Sequence, residues 1–198
     1  RSENPQNLWR MDSNRGPTSY HLRHRATADF FWELPGQDLE GAAKFIAGGW
    51  TLGGIIEARS GFTVPVSSST GTNPGARPDI LGSHESGING SWSTTSKQYL
   101  NKGQFALPPT DDKGVNIRPG NLSRRALYGP GFGNIDLVLQ KNFYVAETQR
   151  LQLRIDFYNL TNAVNFTRVN QNARSGTFGL LNRVAPPRRV QLMIRYSF

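Results

Sequence analysis

The sequence predicts an all-β chain laid out as an antiparallel meander of about five strands, and three observations predict it. Five segments alternate between apolar and polar residues with a period of two. The connections between these segments alternate between long and short. Helical periodicity is confined to one stretch, and the longest nearly apolar run, 45–56, spans about 12 residues and includes Thr51 and four glycines. A membrane-crossing helix needs about 20 apolar residues, so an α-helical membrane protein is excluded.

The first strand is expected over 25–34, with Ala26, Ala28, Phe30, Trp32 and Leu34 on one face and Arg25, Thr27, Asp29, Phe31 and Glu33 on the other. A short helix follows over 38–47, with Asp38 as its cap and Gly48-Gly49 as its end. The second strand, 50–66, sets Trp50, Leu52, Gly54, Ile56 and Ala58 against Thr51, Gly53, Ile55, Glu57 and Arg59, with Pro65 near its end. In the third, 134–143, Ile135, Leu137, Leu139 and Phe143 oppose Asn134, Asp136, Val138, Gln140 and Asn142. The fourth, 150–159, places Leu151, Leu153, Ile155 and Phe157 on the apolar side. The fifth, 189–198, does the same with Val190, Leu192, Ile194, Tyr196 and Phe198. Of 25 apolar-face positions one is charged, Lys141, against 11 of 25 on the opposite face, so the two faces meet very different surroundings.

Apolar-on-one-face strands fit a soluble β-sandwich, whose apolar faces meet in a core, or an outer-membrane barrel, whose apolar face meets lipid. Three features favour the barrel. The stretches before 25, 67–133 and 160–188 are long and irregular, rich in Gly, Ser, Asn and Pro, whereas 35–49 and the six-residue turn 144–149 are short. Barrels pair short periplasmic turns with long extracellular loops. Aromatic residues gather at the strand ends: Phe30, Phe31, Trp32, Trp50, Phe143, Tyr144, Tyr196 and Phe198 at one end, and Phe157, Tyr158 and Phe166 towards the other. Such rings favour the border of lipid and water. Finally, five strands cannot close a barrel, since the smallest have about eight. The chain starts at Arg1 and not at Met, which reads as a cut and leads us to expect further strands upstream. The organisation is therefore 1–24 as an extracellular loop remnant and 25–198 as a barrel segment.

The chain carries 23 Lys and Arg against 14 Asp and Glu, a net charge of +9. The stretches 1–25, 67–133 and 160–188 hold 16 basic and 6 acidic residues, and the remainder holds 7 and 8. All the excess lies in the connections on one side. Nucleic-acid binding calls for a basic groove or helix face, and arginines scattered over loops do not form one. Outward basic loops are instead expected to attract lipopolysaccharide phosphates or an anionic ligand through long-range fields.

Few residues suggest site chemistry. There is no cysteine, hence no disulfide framework or thiolate metal site. Gly129, Gly131 and Gly133 precede a strand and do not open a helix, which argues against a phosphate cradle. His21 and His24 have no carboxylate near them, and His84 is distant. Asp111-Asp112 lacks the alternating oxygen ligands of a calcium loop. Asn89, Asn121, Asn159 and Asn165 head sequons that carry little meaning in a bacterial protein. No nucleophile context is present, so neither enzyme activity nor a cofactor is expected. On the polar strand face, Asp29, Glu33, Glu57, Arg59, Asp136, Arg154, Asp156 and Arg195 are candidate lumen-facing charges. Their mixed signs fit cross-strand pairing, ion pairs to a plug, or a substrate path.

The runs GPGFGNIDLVLQKNF (129–143), LQLRIDFYNLTNAVNF (151–166) and the terminal PRRVQLMIRYSF, with GGWTLGGIIEARSGFTVPV (48–66) and RPDILG (77–82) before them, resemble the C-terminal end of Oar-like TonB-dependent receptors. The resemblance covers the chain from about residue 23 onward. It implies that these are the last five strands of a 22-stranded outer-membrane barrel, with a plug domain and a TonB-engaging motif upstream. It also implies a C-terminal signal for the barrel-assembly machinery, matched here by Leu192, Ile194, Tyr196 and Phe198. The expected partners are the rest of the barrel and its plug, the assembly machinery, the TonB complex and outer-membrane lipid. Energised uptake of a bulky nutrient is the expected role. A passive structural or adhesive barrel is the first alternative, and a soluble β-sandwich binding module the second.

Overall fold

The computed structural model describes residues 5–7, 11–69, 75–144 and 149–198. The turn expected at 144–149 lies mostly outside them. Among the described residues the strands are β1 (Arg25–Glu33), β2 (Trp50–Arg59), β3 (Thr63–Val64), β4 (Asp79–Ile80), β5 (Phe105–Ala106), β6 (Leu127–Tyr128), β7 (Phe132–Tyr144), β8 (Arg150–Tyr158), β9 (Phe166–Val169), β10 (Leu181–Val184) and β11 (Arg189–Ser197). One α-helix, α1 (Gly41–Ala47), joins β1 to β2. No helix among the described residues is long and apolar enough to cross a membrane. The chain forms two compact units: a sheet unit, 24–59, 132–164 and 186–198, and a loop unit, 1–23, 60–131 and 165–185.

The sheet unit is a five-stranded antiparallel meander in the order β1-β2-β7-β8-β11. Its register follows from the side-chain period, because a slip of one residue would turn every apolar side chain to the charged face. Trp32, Leu52, Leu139, Ile155 and Leu192 align across all five strands. Beside them runs a second complete row, Phe30, Gly54, Leu137, Phe157 and Val190. An added Cβ at Gly54 would sit 2.7 Å from the Phe30 ring and 2.6 Å from Leu137, so both side chains would have to shift to admit one. A cross-strand aromatic lies over the glycine and covers the gap.

Helix α1 begins later than expected. Its N-cap is Glu40, not Asp38, and no side-chain bond caps it. Gly48 ends it, donating its N–H to the Lys44 carbonyl at 2.8 Å.

The second strand stops at Arg59 instead of running to residue 66. Gly61 lies so close to the Gly129 carbonyl that no side chain fits, and beyond this crossing Thr63–Val64 pairs with Leu127–Tyr128 in the loop unit. The strand is broken by a long-range contact, which alternation within one segment does not encode.

The long connections are not irregular. They fold into a unit with its own core, in which Val64, Val66, Leu100, Leu122, Leu127, Val169 and Leu181 are almost fully buried. Two further hairpins form, β4 with β5 and β9 with β10, and bridges tie Ser67 to Asn172 and Gln98 to Leu180. Rings pack edge-on in this core, Trp92 with Tyr99 at 5.4 Å and Phe105 with Phe178 at 5.2 Å. The buried Tyr99 hydroxyl donates to the Tyr128 carbonyl at 2.8 Å, and burial pushes its pKa up to about 12. The amino-terminal stretch belongs to this unit too. Gln6 donates to the Gly120 carbonyl at 2.7 Å, and its side-chain oxygen accepts the Arg77 N–H at 2.8 Å.

The segment 77–82 forms the polar centre of the loop unit. The buried Arg77 donates from Nε to the Leu122 carbonyl at 2.9 Å. Asp79, also buried, accepts both Nη atoms of Arg118 at 2.8 Å and the Asn121 N–H at 2.9 Å. The Arg118 hydrogen bond outweighs the opposing effect of burial and holds the Asp79 carboxyl below its ordinary range. A carboxyl with a depressed folded pKa contributes stability above its unfolded pKa and loses it as pH falls through the folded value. Acid titration followed by near-ultraviolet circular dichroism is therefore expected to show loosening of the Tyr99–Trp92 environment only below about pH 4. Arg118→Ala is expected to move that onset to higher pH, and an unchanged onset would count against the clamp.

Candidate functional site

Side-chain chemistry in the sheet unit is divided between two faces. On the apolar face the side chains of β11 are largely open: Leu192 is 73% and Ile194 72% exposed. Lys141 stands in an apolar row between Trp50 and Leu153, yet it is only 4% exposed. Its ammonium donates to the carbonyls of Ile46 at 2.8 Å and Gly48 at 2.7 Å, at the end of α1, where helix carbonyls lack internal partners. It also lies 4.8 Å from the Trp50 ring centre and 4.9 Å from that of Phe143, a favourable cation–π setting. Trp50 Nε1 donates to the same Ile46 carbonyl at 3.0 Å, and Phe45 packs against Phe143 at 5.1 Å between ring centres. A cleft of about 230 Å³ opens here, lined by Gln37, Lys44, Phe45, Asn142, Phe143 and Tyr144 among others.

The opposite face brings most of the expected charges into local pairs. Glu57 takes Arg25 at 3.3 Å and Arg59 at 3.6 Å. Arg154 Nε donates to the buried Asp156 at 2.8 Å. Asp136 accepts from Asn134 Nδ2 and from the Asn159 N–H, both at 2.8 Å. By register Glu33 lies opposite Thr51, Asp29 opposite Ile55 and Arg195 opposite Gln152, all on this face. Of the terminal residues, Leu192, Ile194 and Tyr196 lie opposite Ile155, Leu153 and Leu151, and the Tyr196 and Phe198 rings are 6.0 Å apart.

One residue read only as a sequon head has a structural task. Asn159 is buried at the end of β8 with φ of 51°, a conformation that Asn tolerates better than most residues. Its Nδ2 donates to the carbonyls of Ala163 at 3.0 Å and Pro186 at 3.2 Å, and its Oδ1 accepts the Ala163 N–H at 2.9 Å. It thereby fixes the turn after β8 and the approach to β11. The sequence signal was the asparagine-rich turn chemistry of 159–165.

The loop unit holds 14 basic and 6 acidic residues, the sheet unit 9 and 8. Several of these cations are ties: Arg174 to the Ser68 carbonyl at 2.9 Å, Lys102 to that of Gly176 at 2.7 Å, and Arg23 over the Tyr128 ring at 4.1 Å. His21 lies against the same ring at 6.0 Å. Asp111 accepts the N–H groups of Lys113 and Val115 at 3.0 and 2.7 Å, as in a tight turn.

A family model described as outer membrane beta barrel domain matches residues 1–191. The match reaches into β11 as far as Gln191. No curated protein and no solved structure matches the chain.

The register and the match together give a paired test. Leu139→Arg, in the middle apolar row, is expected to cost about 2–4 kcal/mol, the cost of a cation at the bilayer midplane. Gln140→Arg, one residue on and facing the other way, is expected to cost little. Denaturant titration of the refolded full-length protein in lipid vesicles checks both, and equal losses would contradict the assignment of faces.

Proposed function

Because the chain belongs to the outer membrane beta barrel domain family, we propose that it forms the last strands of a TonB-dependent receptor barrel engaged in energised uptake of a bulky nutrient. The barrel and its outer-membrane location follow from the family, and the soluble-sandwich alternative falls with that assignment. The apolar face is then the lipid face and the charged face the lumen wall. The receptor reading rests chiefly on the resemblance of 48–66, 77–82, 129–143 and 151–166 to Oar-like receptors. The loop unit supports it. All three of its segments join the sheet at the same strand ends, before β1, between β2 and β7, and between β8 and β11. Long connections with a core of their own form a firm recognition surface, and their basic excess suits an anionic ligand or lipopolysaccharide phosphate.

The same folded connections also favour a second reading, a passive structural or adhesive barrel in which that surface binds and nothing is imported. Energy dependence separates the two. Cells expressing the full-length protein, offered labelled siderophore complexes and oligosaccharides, are expected to accumulate label only with an intact proton gradient and TonB. Surface binding is expected to survive removal of either. Surface binding with no energy-dependent accumulation would support the passive barrel.

Phe198, Tyr196, Ile194 and Leu192 serve on this reading as the signal for the barrel-assembly machinery. Deleting Phe198 from the full-length protein is expected to lower its outer-membrane level sharply, while deleting Ser91 in the loop unit is not. Equal levels of the two deletions would refute the signal.

A further inference from the structure

The helix between β1 and β2 contains no buried residue. Its apolar side chains are bare: Phe45 is 64% and Ile46 70% exposed, with Leu39 open just before it. In water such a patch is a liability, and a seven-residue helix is too short to persist by its own hydrogen bonds. Something other than the helix itself must favour this arrangement.

Its contacts show which side it lies on. Lys141 and Phe143 both belong to the lipid-facing rows, and it is these residues that hold α1, through the Ile46 and Gly48 carbonyls and the Phe45 ring. The exposed ring of Phe45 thus continues the apolar surface that Phe143, Leu151 and Tyr196 form at this end of the sheet. This is the end with the shorter connections, which barrels turn to the periplasm.

We propose that α1 is a bilayer-interface anchor whose Leu39, Phe45 and Ile46 insert into the periplasmic-leaflet phospholipid, with Lys141 as the clamp that holds it against the barrel wall. The surrounding chemistry fits that depth. Asp38 and Glu40 precede the helix and stay with the headgroups, while Lys44 shares its cleft with Phe45, Phe143 and Tyr144. A cation beside aromatic carbon is the composition favoured where headgroups meet acyl chains. The clamp also explains the one charge among the apolar rows. A lysine buried toward lipid is tolerated when carbonyls and rings replace its water, and the carbonyls come from the helix it secures.

The chain has no cysteine, so Ile46→Cys, made in the full-length protein with any other cysteines replaced, accepts one environment-sensitive fluorophore. The protein is reconstituted in phosphatidylethanolamine–phosphatidylglycerol vesicles carrying nitroxide at acyl carbon 5 or 12. Emission at position 46 is expected to be quenched roughly threefold more by the shallow nitroxide than by aqueous iodide, in keeping with an interfacial depth. A label at Ile117→Cys, exposed in the loop unit, is expected to show the reverse order. Iodide quenching at 46 equal to that at 117, with no nitroxide effect, overturns the anchor. Lys141→Met in the Ile46→Cys background is expected to open position 46 to iodide while the barrel keeps its heat-modifiable migration. Unchanged quenching in that variant overturns the clamp, and the single-label result decides the anchor without it.

Discussion

Hydrocarbon offers no hydrogen bonds, and most of the sheet unit follows from that constraint. Every backbone group on a lipid-facing strand needs a protein partner, which the ladders from β1 through β11 supply across the sheet. Side chains facing lipid must be apolar, and two complete five-residue rows comply. The outer edges of β1 and β11 have no strand beside them among the described residues. An open edge is not stable in lipid, so closure of the barrel has to cover both. Lys141 obeys the same rule by a different route. Its charge is met by two carbonyls and two rings, which take the place of water in an environment that has little.

The loop unit reverses this arrangement. A set of its apolar residues points inward to a common core, with Leu100 and Val169 fully buried, as in a water-soluble domain. Connections as long as 60–131 are costly to order, and loops of that length normally stay irregular. Here the cost is offset by a shared core drawn from two segments far apart in sequence, and by cations that satisfy carbonyls which short strands leave unpaired. Arg77, Lys102 and Arg174 are such ties. Part of the basic excess that sequence alone assigns to outward electrostatics is thus spent on holding the unit together.

The strands of the sheet unit were legible because their determinant is local. Alternation within ten residues identifies β1, β2, β7, β8 and β11, and the register then follows from keeping like faces together. The loop core was not legible because its determinants are not periodic. Gln98 pairs with Leu180 through an isolated bridge, and the Tyr99 N–H bonds the Gly179 carbonyl 80 residues away; no local window of sequence contains both halves. The end of β2 is hidden from the sequence for the same reason, since Gly61 is defined by its distant neighbour Gly129. The polar side chains divide likewise. The charges of the polar strand face could be placed on one face by parity, whereas the tasks of Asn159 and Lys141 depend on carbonyls that only the folded chain brings within reach.

The pairing on the charged face bears on where selectivity would reside if the barrel is the receptor proposed above. Arg154 and Asp156 are two residues apart on one strand, and Glu57 is bracketed by Arg25 and Arg59. Charges neutralised by neighbours at 2.8–3.6 Å project a weak field, and a solute would have to break those pairs to bind them. Around Glu57 and Asp156 the face is therefore locally compensated and offers little to bind a charged solute. The loop unit carries 14 basic residues against 6 acidic ones, and its excess cannot be cancelled from within. On the proposed receptor reading, a long-range attraction for an anionic ligand would originate in the connections, and discrimination among ligands would belong to that folded surface rather than to the strand wall.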